Sequence, residues 1–257
     1  MVLDSSFREI FSWLSTRNVW NKRDDVYRIR EDGTGDWFLK TTEVQQWLAG
    51  NHKTLYCPGI PGAGKTVLTA LLLNHLEATF SSNEIGIAGI FCDYKDQDVQ
   101  SIPNLFGSIL QQLIERRNDC YESAKILYHR HVEGTPPNPS KLVEALKSEF
   151  SRFMRIYLVV DALDEFHSDI QKTQLFVEKL QNLGGNIYLL ITSRPIPHFY
   201  RIFEGAPRVE IRATSSDVSQ FTGTQITANL MLKRILGDDV DLQNHVKAVV
   251  VEKAQGM

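Results

Sequence analysis

Residues 59–66 read Gly-Ile-Pro-Gly-Ala-Gly-Lys-Thr, a complete G-x-x-x-x-G-K-[ST] string. These residue types at this spacing suit one task, the holding of a phosphate chain. Glycines let successive backbone amides turn inward onto phosphate oxygens. A helix starting near Lys65 adds its positive dipole end to the same anion. Lys65 brings a point charge to the β- and γ-phosphates, and the Thr66 hydroxyl is placed to hold Mg²⁺. Gly59, Ile60, Pro61, Gly62, Ala63 and Gly64 are the remaining residues of the cradle. Such a string arises by chance in roughly one chain in a hundred of this size. Its setting, between an apolar strand and a helical run, narrows that further.

Two further strand ends carry chemistry. Ile156 to Val160 runs straight into Asp161-Ala162-Leu163-Asp164-Glu165. An acid at the tip of a strand neighbouring a phosphate loop can hold the Mg²⁺ shell, and a nearby acid can polarise the attacking water. Asp161 is therefore expected to serve the metal, Glu165 to act as general base and Asp164 to position. The plain alternative is a solvated acidic loop capping the next helix. The third end is Thr192-Ser193-Arg194-Pro195 after the apolar run Ile187–Ile191. Arg194, forked and always charged, suits sensing of a γ-phosphate; otherwise it is an ordinary turn arginine.

Other motifs carry less. Asn21-Lys22-Arg23-Asp24 matches the guanine-reading NKxD pattern, but it precedes the phosphate loop, and Asp161-Ala162-Leu163-Asp164 does not supply the DxxG metal motif that pattern needs. His129 and His131 lack an acid or cysteine at ligand spacing, and no GxSxG turn supplies an acyl-transfer nucleophile. Cys57 reads as a small apolar filler in a buried strand. Trp13, Trp20, Trp37 and Trp47 all precede the loop and are expected to pack.

Composition bounds the class. Of 257 residues, 42% are hydrophobic and 23% charged, enough for a core and too apolar for disorder. A net charge of −3 argues against a dedicated nucleic-acid binder. The three cysteines are an odd, widely spaced set without a CxxC pair, which fits a reducing compartment. Asp4, Arg8 and Glu9 stand where a signal peptide would need apolar residues, and no run reaches membrane-spanning length. A soluble, cytoplasmic protein is the expectation.

The elements that must position these residues follow from periodicity. Residues 5–16 have helical spacing, 17–36 read as a polar loop, and 41–50 as a short capped helix. Strands are expected at 54–57, 85–92, 156–160 and 187–191, with a shorter one at 209–211. Helices are expected at 65–78, 103–116 and 141–150, with a loop over 134–140. Beyond residue 216 only helices are expected, at 218–226, 230–236 and 242–254. Alternating strands and helices predict an α/β fold with a mainly parallel sheet and right-handed crossovers. The chain divides into a helical lead-in (1–50), a P-loop NTPase core of three αβα layers (51–213) and the start of a helical lid domain (214–257).

The ordered set GIPGAGKT, IFCDYKD, IYLVVDALDE and IYLLITSRP resembles the NACHT branch of the STAND ATPases. It is most similar to fungal members and to nephrocystin-3-like amino-terminal modules, over roughly residues 26–257. GTGDWFLKTTEVQQWL (33–48) is similar to the segment that precedes the phosphate loop there. The resemblance implies ATP or ADP as ligand with Mg²⁺, slow hydrolysis, and a nucleotide-driven switch between a closed and an oligomerising form. It places Lys65 and Thr66 as the phosphate-loop pair, Asp161 as the metal acid, Asp164 and Glu165 as hydrolytic acids and Arg194 as sensor. Residues 26–38 are candidates for the adenine pocket. The family usually has glycine at the position of Ala162. It also continues past Met257 into a winged-helix domain and repeats, so the chain reads as part of a longer receptor-like protein. A non-catalytic nucleotide-holding module and a P-loop small-molecule phosphotransferase are the competing functions.

Overall fold

The computed structural model describes residues 5–97, 99–117, 121–129, 139–237 and 239–254. Four strands, β1 (Thr54–Pro58), β2 (Ile85–Phe91), β3 (Arg155–Asp161) and β4 (Ile187–Ser193), form one parallel sheet in the order β1-β4-β3-β2. Parallel strands need helical crossovers that cover both faces, and that is why these runs are apolar throughout. In β3 the alternation of side chains sorts them between two cores. Ile156, Leu158 and Val160 join one cluster, and Tyr157 and Val159 join the other.

The first core is closed by α1 (Ser5–Leu14), α6 (Ile102–Arg116), α7 (Tyr121–His129), α8 (Pro139–Phe150), α9 (Ile170–Gln181) and α10 (Pro197–Ile202). The second is closed by α2 (Val19–Arg28), α3 (Asp36–Leu39), α4 (Thr42–Ala49) and α5 (Lys65–Thr79). Three layers result, with the sheet in the middle. Trp47 is fully buried in the second core, edge-on to Tyr157 at 5.0 Å. Cys57 and Cys92 are buried free thiols, and burial pushes both well above the ordinary thiol range.

Two expectations need correction. The stretch 17–36 is not a loop; it contains α2 and the start of α3. Helix α2 is polar on average, but Val19, Trp20 and Tyr27 fall at helical spacing and pack on the second core, and a cap adds to these tertiary contacts. Asn18 accepts a cap bond from the Asn21 amide at 2.9 Å. Val19 is buried, Trp20 donates to Glu115 at 2.8 Å, and Arg23 faces Glu77 on α5 at 3.8 Å. The expected strand at 209–211 forms only isolated parallel bridges beside β1. The Val209 amide donates to Tyr56 at 3.1 Å and the Ile211 amide to Pro58 at 2.7 Å. Pro207 cannot donate to a ladder, which shortens the pairing.

The last helices, α11 (Ser215–Ala228), α12 (Leu230–Leu236) and α13 (Val240–Ala254), follow the sheet. His131, Cys120 and most of the expected 134–140 loop lie outside the described residues. Among the described residues no helix is long and apolar enough to cross a membrane.

Helix α1 docks on α6 through Gly107, where a Cβ would fall 1.9 Å from the Leu14 carbonyl oxygen. Backbone cannot yield as a side-chain tip does. Gly107→Ala is therefore expected to destabilise the chain by about 1–3 kcal/mol, read as a lower urea midpoint. An unchanged midpoint would mean that α1 does not rest there.

Candidate functional site

The loop between β1 and α5 takes the shape its glycines permit. Gly62 and Gly64 have φ of 80° and 91°, in the left-handed region where a side chain is strained. Gly64 is the residue before α5, so the turn delivers the amino end of that helix directly to the loop. Gly59 is buried against Ile211, Ala63 is buried, and Ile60, Pro61 and Gly62 are exposed. The Lys65 ammonium folds back onto its own loop, donating to the Gly59 carbonyl at 2.9 Å and the Ile60 carbonyl at 3.0 Å. Partial burial lowers its pKa, opposed by the nearby Asp164 and Asp161.

Asp161 ends β3 and is buried. Strand β4 lies between it and β1, so the acid is two strands from the phosphate loop, not on an adjacent strand as the sequence suggested. Two hydroxyls hold its carboxylate. Thr192 on β4 donates at 2.7 Å and Thr69 on α5 at 3.0 Å, and Thr66 lines one cavity with it. Burial raises the Asp161 pKa, while these donors and Lys65 pull it down. Sequence reasoning missed Thr69, and it named Thr192 only as part of the polar strand tip, without the bond to Asp161. The signal was present for Thr69, three residues after Thr66 and hence on the same helix face.

Ala162, the next residue, has φ 51° and ψ 49°. That left-handed conformation turns the chain into the 163–165 turn, and it accounts physically for glycine being the usual residue of the resembled family here. After the turn the acids part company. Glu165 lines the same cavity as Thr66 and Asp161, and its carboxylate accepts from the Tyr94 amide at 3.3 Å. Burial, reinforced by Asp164, raises its pKa. Asp164 instead accepts the Arg194 backbone amide at 2.9 Å and the Arg194 Nε at 2.5 Å. The carboxylate is nearly buried while the Arg194 side chain is half exposed. The structure thus brings Thr66, Asp161 and Glu165 together, and pairs Asp164 with Arg194 at the neighbouring strand tip.

Two cavities take walls from this loop and helix. A polar one of about 380 Å³ is lined by Thr66, Asp161 and Glu165 together with Arg17, Lys22 and Asp96. An apolar one of about 510 Å³ is lined by Gly62 to Gly64, Ile29, Trp37, Leu68, Val218 and Phe221. It falls where residues 26–38 were expected to place a base, although α11 completes it. Asp217 on α11 fixes that wall by accepting from the Gly35 amide at 3.0 Å and the Trp37 indole at 2.9 Å. Asn21, Lys22 and Asp24 of the NKxD string lie on α2, away from the phosphate loop in sequence and without a strand before them.

The family model described as Nephrocystin 3, N-terminal, matches residues 33–194, more than half of the chain. The chain belongs to the nephrocystin-3 amino-terminal family. As a member it is a NACHT-type P-loop NTPase module, in agreement with its motifs and its parallel α/β sheet. It is also similar to the vegetative incompatibility protein HET-E-1 of Podospora anserina, 21% identical over 206 residues. That match covers 75% of this chain and 15% of the fungal protein, so the chain spans only a small part of that relative's length. Among solved structures it is similar to the Aeropyrum pernix ORC1 protein in complex with DNA, at 16% identity and a TM-score of 0.45, covering 80% of this chain and 49% of that one. Drosophila ORC bound to DNA matches at 13% identity and a TM-score of 0.47, covering 78% of this chain and 47% of that one.

Proposed function

We propose that this family member is an ATP-binding switch domain with slow Mg²⁺-dependent hydrolysis, acting in the cytoplasm as a module of a longer signalling protein. What carries the proposal is the pair of cavities that share walls with the phosphate loop and its helix. The apolar cavity, with Trp37 and Phe221, suits a purine. The polar cavity offers a hydroxyl and a carboxylate, Thr66 and Asp161, on one lining. That donor set fits Mg²⁺, which takes one or two protein oxygens and completes its shell with phosphate and water. Among the described residues no cluster of three or more His, Cys, Asp or Glu could hold a metal alone, so the ion would depend on the ligand's oxygens. When bound, Mg²⁺ would neutralise charge on the phosphates.

The residues of the chain then divide the work. The backbone of 59–64 and the ammonium of Lys65 would bind phosphate. Thr66 and Asp161 would orient the metal, and Glu165 would take the proton of an attacking water. Asp164 would hold Arg194 at the strand tip, ready to register the γ-phosphate. Self-association through this domain on ATP binding is part of the same proposal. Calorimetric titration of the full chain is expected to show saturable one-to-one heat with Mg·ATP that EDTA abolishes. A flat trace with both Mg·ATP and Mg·ADP would end the proposal.

A further inference from the structure

The polar cavity contains a cation that neither the motifs nor the family match accounts for. Arg17 lies between α1 and α2, outside the matched segment 33–194. Its side chain is only 14% exposed. Nη2 donates to the Phe91 carbonyl at 2.6 Å. Phe91 pairs in register with Asp161, and the Cys92 amide donates to the Asp161 carbonyl at 3.1 Å. The guanidinium therefore sits at the tip of the strand beside the metal-side carboxylate. Its other nitrogen, Nη1, stands 3.7 Å from Asp96, is buried, and has no hydrogen-bond partner. A buried donor left unmatched is costly and calls for a partner.

The charges around the cavity say what kind of partner. Asp93, Asp96, Asp161 and Glu165 line it against two cations, Arg17 and Lys22. A free polyphosphate would be repelled by that excess of carboxylates. One that arrives with a divalent metal would place the metal toward Asp161 and a phosphate oxygen toward a cation of the same lining. Arg17 is that cation, since its fork can hold the Phe91 carbonyl and an oxyanion together.

We propose that Arg17 is a terminal-phosphate contact supplied in cis by the amino-terminal lead-in. It lets helices α1 and α2 distinguish a bound triphosphate from a diphosphate. The proposal rests on the nucleotide-binding function above and adds to it a sensing residue distinct from Arg194. The competing role for Arg17 is a strut that merely ties the lead-in to β2. A strut would support any nucleotide equally, whereas a terminal-phosphate contact discriminates.

The test compares wild type with Arg17→Gln, which keeps a polar, uncharged side chain and loses the guanidinium. Affinities for Mg²⁺ with a non-hydrolysable ATP analogue and for Mg·ADP are measured by calorimetry on the full chain. Loss of one charge-assisted hydrogen bond is expected to weaken the triphosphate analogue about tenfold, with ADP held within about twofold. Equal weakening of both ligands, or of neither, would overturn the proposal. Wild type binding neither ligand would instead bring down the nucleotide function itself, a separable outcome. Hydrogen exchange on the wild type needs no folded variant. Amides of residues 15–22 are expected to slow with the triphosphate analogue relative to ADP, and identical exchange in the two states would also overturn the assignment.

Discussion

Lys65→Ala is expected to weaken Mg·ATP binding by at least about tenfold, because a charge-assisted hydrogen bond is worth about 1.5–3 kcal/mol and each factor of ten about 1.4. The starting geometry bears on the size of the effect. The ammonium rests on the Gly59 and Ile60 carbonyls, so it must leave two acceptors to meet a phosphate. The Ile60 residue is exposed and its carbonyl can be resolvated, whereas Gly59 is buried, so the exchange is partly compensated by water and partly by the incoming phosphate. The variant is also expected to fold. Lys65 is part-buried at the start of α5 rather than in either core, and alanine is the best helix former. Equilibrium titration beside a thermal melt separates the two properties. Affinity within about twofold of wild type, with an unchanged melt, would remove Lys65 from the phosphate site and with it the central claim about the loop.

Much of this site was legible because its chemistry depends on local strings. The 59–66 motif needs its glycines for backbone reasons that no neighbour can supply, and Gly62 and Gly64 adopt the positive φ the motif implies. Strand β3 announced itself as an unbroken apolar run because both of its faces are buried. What escaped the sequence depends on contacts across long separations. Helix α2 is polar on average, its short apolar stripe of Val19, Trp20 and Tyr27 is interrupted by charged residues, and Trp20 to Glu115 and Arg23 to Glu77 tie it to distant elements. The strand order places β4 between the loop and Asp161, and a list of strands in chain order does not show this. The pairing of Asp164 with Arg194 joins residues 30 apart in sequence and divides two acids that look alike in the string DALDE. Arg17 fell in a segment expected to be loop, and its buried nitrogen becomes conspicuous only when the cavity is seen from the side of Phe91.

Glu165→Gln carries the largest effect expected for turnover. A positioned general base contributes about 10²- to 10⁴-fold, and the amide cannot accept the proton from water. Binding is expected to stay near the wild-type value, because Glu165 is assigned to neither phosphate nor metal. The substituted side chain also keeps an oxygen to accept the Tyr94 amide, so the wall of the cavity is preserved. The pH profile gives a second readout with a definite sign. Burial and the neighbouring Asp164 raise the Glu165 pKa above the ordinary glutamate range. The base works only when ionised, so wild-type turnover is expected to fall as pH drops through that raised value. The variant is expected to lose this acid limb along with most of the rate. Single-turnover hydrolysis, set against retention of bound nucleotide, measures both. If Glu165→Gln hydrolyses at the wild-type rate with the same acid limb, Glu165 is not the base. Since Asp164 is committed to Arg194, the module would then be a nucleotide holder whose residual turnover comes from phosphate-side positioning alone.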